Sequence, residues 1–104
     1  MELTKDADKM LCCLYKEYLQ RIKLGNSKTS SRDFYADYTK TDKFLSTWHE
    51  DDIATVRNEL GRKHFLKVNI LGDFTLTDDA ITYMENRFKN NLSELTDFIS
   101  KFIP

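Results

Sequence analysis

A chain of 104 residues has room for one domain built around one core, and a second core is not expected. Hydrophobic residues at 40% and aromatic residues at 12% supply enough apolar surface to fold, which excludes low-hydrophobicity disorder. Sixteen Lys/Arg against seventeen Asp/Glu leave a net charge of −1, which excludes a uniformly basic nucleic-acid binder. Any grip on phosphate would have to come from positive charge gathered on one face.

The first predicted element is a helix of about residues 4–24. Thr4 is the expected N-cap, Asp6 and Asp8 lie near the positive end of the helix dipole, and Met10, Leu11, Leu14, Tyr15, Tyr18, Leu19 and Ile22 recur at helical spacing. Gly25 and Asn26 suit the left-handed position just past the end. Cys12 and Cys13 are adjacent within this helix, where neighbouring side chains diverge by about 100°. A disulfide between them would be strained, and they are read as one buried and one half-buried residue of the helix without redox function.

A polar linker follows over 25–31. Ser31 is expected to cap a short second helix that buries Phe34, Tyr35 and Tyr38, and 39–46 looks irregular with Phe44 and Leu45 as anchors. Thr47-Trp48-His49-Glu50 matches a capping box, and Ile53, Val56 and Leu60 then form one buried stripe of a third helix that ends near Gly61 or Arg62. The pattern changes at His64, where partial alternation to Ile70, then Gly72-Asp73, then Phe74-Thr75-Leu76, predicts a β-hairpin over 64–76 with a two-residue turn.

Thr77-Asp78-Asp79 caps the last helical stretch. Ile81, Met84, Phe88, Leu92, Leu95, Ile99 and Phe102 follow at spacings of three and four, as one helix or as two with a break near Asn90-Asn91. The later part is expected to project from so small a body. Its strip Phe88, Leu92, Leu95, Phe98, Ile99 and Phe102 is the candidate for pairing with a second copy, with folding back onto the same domain as the alternative.

Helix, short helix, capped helix, hairpin, helix is an order that resembles the winged helix-turn-helix superfamily. Asp52–Leu60 looks like its third helix, Phe65-Leu66 like the start of a wing, and Phe74–Met84 like the exit from it. The style is that of small winged-helix proteins of Gram-positive bacteria and their phages, and more remotely of MarR and PadR regulators. The resemblance implies a mainly α fold with a small β-hairpin, a winged-helix domain over 1–90 and a C-terminal helical extension over 91–104. It implies a homodimeric transcription regulator that binds double-stranded DNA, with the third helix in the major groove.

On that helix the expected exposed set is Asp51, Asp52, Thr55, Arg57, Asn58, Glu59 and Arg62. Arg57 or Arg62 would suit guanine, Asn58 adenine and Thr55 a thymine methyl. Lys28, Arg32, Lys40, Lys43 and Lys67 are the remaining candidates for phosphate. Against this stand Glu50, Asp51, Asp52, Glu59 and Asp73, and a balance of −3 over residues 46–104 against +2 over 1–45. The alternative is therefore a protein-interaction adaptor on the same scaffold, using the aromatic cluster Phe34, Tyr35, Tyr38, Phe44 and Trp48.

Enzymatic chemistry has no motif here. The chain has no glycine-rich phosphate loop, no nucleophile elbow and no metal-ligand spacing, and His49 and His64 are far apart, so no catalytic residue, cofactor or metal is expected. No signal peptide or apolar run of spanning length is present, which predicts a cytoplasmic protein with no membrane partner and leaves the Asn91-Leu92-Ser93 triplet without meaning for glycosylation.

Overall fold

The computed structural model describes residues 2–89 and 91–102. Helix α1 (Lys5–Lys23) begins as expected: the Thr4 hydroxyl accepts from the Ala7 N–H. Just past its end Gly25, with φ +104°, lets the chain turn while the Gly25 and Asn26 N–H groups bond back to the Ile22 and Arg21 carbonyls. Ala7, Met10, Leu11, Leu14 and Tyr15 are buried along its length, so α1 is the central rod of the core.

The next segment departs from expectation. Ser27, not Ser31, caps the short helix α2 (Lys28–Ser31), and Ser31 is its buried last residue with its hydroxyl turned back to the Ser27 carbonyl. Strand β1 (Asp33–Phe34) replaces the expected second helix. Arg21 holds it, donating to the Asp33 carbonyl at 2.6 Å with its guanidinium 4.4 Å from the Phe34 ring centre. Phe34 stacks on Phe74 of the hairpin, whereas Tyr35, expected to be buried, is 78% exposed.

A helical turn α3 (Tyr38–Thr41) and a 3-10 turn (Leu45–Thr47) lead into helix α4 (Glu50–Arg62). The expected capping box does not form. The Thr47 hydroxyl donates to the Phe44 carbonyl and so closes the 3-10 turn, which leaves His49 as N-cap without a side-chain bond. Glu50, Asp51 and Asp52 in the first turn then favour the helix through its dipole. Ile53, Val56 and Leu60 are buried, as their spacing requires.

Strands β2 (Leu66–Val68) and β3 (Phe74–Leu76) pair antiparallel with Leu66 opposite Leu76 and Val68 opposite Phe74. β1 pairs with the other edge of β3, so the hairpin belongs to a three-stranded sheet of order β1-β3-β2. The connection is longer than the two-residue turn expected. Asn69 N–H bonds to the Asp73 carbonyl, and Ile70-Leu71-Gly72 form the turn between them. Gly61, inside α4, faces β2, where a Cβ would make an ordinary contact with Val68 Cγ2 at 3.6 Å.

Thr77 caps helix α5 (Asp78–Phe88), and Asn91 caps a separate helix α6 (Leu92–Ser100). The stretch is thus two helices; Asn90, on which the expected break partly falls, lies outside the described residues. The strip does not project. α6 folds back along α1, burying Leu95 and Ile99 completely or nearly so, and the described residues fill 32 × 30 × 28 Å. Phe98 packs between Phe88 and Phe102, and Phe102 reaches Phe44. The Arg87 guanidinium lies over Phe88 and Phe98 and pairs with Asp8 of α1, which ties both ends of the chain together. No described helix is long and apolar enough to cross a membrane.

Candidate functional site

Helix α4 turns one stripe to solvent. Asp51, Thr55, Asn58 and Arg62 are exposed at spacings of four, three and four, opposite the stripe Ile53, Val56 and Leu60 that faces α1 and the sheet. The Thr55 hydroxyl donates to the Asp51 carbonyl at 2.9 Å. Thr55, Asn58 and Arg62 are therefore brought together on one face.

Asp52 is exposed beside that stripe, and the other two members of the expected exposed set are half-buried. Glu59 reaches across to the start of α1, accepting from the Thr4 hydroxyl at 2.7 Å and the Thr4 N–H at 3.1 Å, with Lys63 Nζ 3.3 Å away. Burial works against its negative charge, yet the bonds from Thr4 and the Lys63 ammonium hold its carboxyl below the usual range. Arg57 is half-buried, four residues beyond Ile53 and three before Leu60, at the edge of the buried stripe. Its Nη1 lies 3.5 Å from where a Cβ on Gly72 would sit, so the guanidinium supports the hairpin turn.

The turn is tightly built. Asn69 Oδ1 accepts from the N–H groups of Leu71 and Asp73, and Gly72, with φ +89°, donates its N–H to the Asn69 carbonyl. Asp73 Oδ1 accepts from the Ala36 N–H at 2.8 Å and is half-buried, so it is a structural acceptor and not a free charge at the tip as the sequence suggested. What the tip displays is apolar: Ile70 is 99% and Leu71 78% exposed.

The basic candidates do not form one strip. Arg32 pairs with Asp78 at the start of α5, and Lys40 lies 3.4 Å from Glu50. Lys28 lines a depression with Leu92 and Glu85, Lys67 lines another on the outer side of the sheet, and Lys43 is exposed beyond α3. Lys40 and Arg57 do share a groove of about 630 Å³ between α3, the 3-10 turn and α4, floored by Leu45 and Ile53 and walled by Trp48. No sequence pattern pointed to this groove, because two of the three segments that wall it, α3 and the 3-10 turn, lie in a stretch expected to be irregular.

Both thiols are buried, and desolvation pushes Cys12 up to about 12 and Cys13 higher still. Among the described residues no cluster of His, Cys, Asp and Glu is arranged to hold a metal ion. Of the self-association candidates, Phe88, Leu95 and Ile99 are buried within the chain, and Leu92, Phe98 and Phe102 are half-buried. No family model, characterised protein or solved structure matches the chain.

Proposed function

We propose that the chain is a winged helix-turn-helix protein that binds double-stranded DNA, with α4 as the reading helix and the β2–β3 hairpin as the wing, in the service of transcriptional control. The observation that carries this reading is the sheet order β1-β3-β2, in which the strand before α3 and α4 closes against the hairpin after them. That connection leans α4 on the sheet and leaves Thr55, Asn58 and Arg62 outward. Glu59 is paired with Lys63 and bonded to Thr4, which takes one of the five opposing carboxylates off the exposed face, and Asp73 is held against the Ala36 N–H. The reading is for a single chain, since Phe88, Leu95 and Ile99 of the strip expected to carry self-association are buried within the chain.

The test is fluorescence anisotropy with a mixed-sequence duplex and with duplexes selected from a random pool. Binding should weaken with salt, the slope of log K falling by about 0.9 for each phosphate contact. Asn58→Ala and Arg62→Ala should each lower affinity for the selected duplex, by about 1–3 kcal/mol for a lost bidentate base contact. Lys101→Ala, exposed just past the end of α6, should not. Absence of binding at low salt, or indifference to Asn58 and Arg62, overturns it.

A second reading, a protein-interaction adaptor, is favoured by one feature. The hairpin tip offers Ile70 and Leu71 where a phosphate-binding wing would offer Lys or Arg, and Tyr35 is exposed on the β1 side. A wild-type protein that ignores DNA would leave this as the working reading.

A further inference from the structure

The groove beside α4 combines three properties that a solvated surface crease does not need. Its floor is apolar, made by Leu45 and Ile53, 1% and 8% exposed, with Ala54 leaving space above them. Its wall is Trp48, half-buried and held edge-on by Phe44 at 5.6 Å between ring centres. Its volume, about 630 Å³, falls in the range that small-molecule sites occupy.

Charge decides what would enter. Lys40 and Glu50 at the rim pair with each other at 3.4 Å, so their charges largely cancel. Arg57 has no carboxylate partner among the described residues. Its Nε is shielded from solvent and finds no acceptor there, so no group of the fold offsets the positive charge that Arg57 brings to the groove lining. A cationic ligand would be repelled by Arg57. A polyanion such as phosphate would meet apolar walls, the Glu50 carboxylate and only one uncompensated cation.

We infer that this groove is a binding site for a small monocarboxylate with a compact apolar body, the carboxylate on the Arg57 guanidinium and the body over Leu45 and Ile53 against Trp48. The planar fork of Arg57 matches a carboxylate in two parallel hydrogen bonds. The same guanidinium lies under Gly72, so an occupant that draws on Arg57 also acts on the hairpin turn. The site does not depend on DNA binding, and a protein that ignored DNA would leave it standing.

Trp48 is the single tryptophan of the chain, so its emission reports on the groove directly. Cyclohexanecarboxylate, which does not absorb where tryptophan does, should produce a saturable change in Trp48 emission. Cyclohexylmethanol and inorganic phosphate should each bind about ten-fold or more weakly, since one lacks the charge-assisted hydrogen bonds and the other the apolar body. Arg57→Met should abolish the preference for acid over alcohol. Ala54→Leu, which fills the groove and keeps Arg57, should block both, and thermal unfolding checks that each variant is folded. A response that does not saturate, or that is equal for the acid, the alcohol and phosphate, overturns the site. So does a folded Arg57→Met that still prefers the acid. If Arg57→Met fails to fold, Ala54→Leu and the wild-type selectivity decide.

Discussion

Glu59 illustrates how one side chain changes meaning once its neighbours are known. On a helical projection it adds a fourth carboxylate to an acidic helix; in the fold it caps the opening of α1 through Thr4 and is only 12% exposed. Its folded carboxyl titrates below the ordinary range, so its contribution is complete above the pH where an unfolded glutamate ionises and disappears as pH falls through the lowered folded value. Glu59→Gln should therefore cost about 1–2 kcal/mol near neutrality, the usual worth of hydrogen bonds to a charged group less what Gln retains. The gap from wild type should close on acidification below the ordinary carboxylate range. Denaturant unfolding at neutral and acidic pH checks this, and a gap that widened in acid would contradict it. The adjacent thiols make a simpler case. Burial disfavours the thiolate at both Cys12 and Cys13, so neither should react with a disulfide reagent in the native protein, and both should react once denaturant unfolds it.

Among the elements, the hairpin is the most constrained. Gly72 combines φ +89° with a site where a Cβ would meet Ala36 Cβ at 3.3 Å and Arg57 Nη1 at 3.5 Å. Gly72→Ala should cost at least about 1–2 kcal/mol from the backbone conformation alone, read as a lower unfolding midpoint. Gly25→Ala, at φ +104° with open space around it, should show the backbone cost without the steric one. The long helices and the two hairpin strands were legible in the sequence because each carries a repeated spacing: Met10 to Tyr18 in α1, Ile53 to Leu60 in α4, Ile81 to Phe88 in α5. What escaped was short or non-local. β1 is two residues, below any periodicity, and it exists because Phe74 lies 40 positions ahead to stack on Phe34. The capping box had the right letters at 47–50, but the Thr47 hydroxyl went to the Phe44 carbonyl in a turn no pattern announces. Of the candidate site, Thr55, Asn58 and Arg62 followed from the helical wheel; the inward turn of Arg57 was readable from its place between Ile53 and Leu60, whereas the partner of Glu59, 55 residues away, was not.

At the scale of the molecule, α6 is what closes the core, and this changes what the C-terminal strip is for. An apolar strip on a projecting helix would need a second copy; here the same residues cover α1, with Leu95 wholly buried and Phe98 and Phe102 extending an aromatic chain from Phe88 to Phe44. The Arg87–Asp8 pair spans from α5 to α1 beside that chain, so loss of α6 removes packing from both helices at once. Leu95→Ala should cost about 2–5 kcal/mol, the range for a buried leucine whose cavity cannot fully collapse. A chain ending at Asn91 should lose cooperative unfolding and expose hydrophobic surface to dye, while the full-length protein sediments at the mass of one chain. The opposite pair of results, a full-length dimer that becomes a folded monomer on truncation, would return the strip to self-association and require α6 to leave α1 in the assembled state.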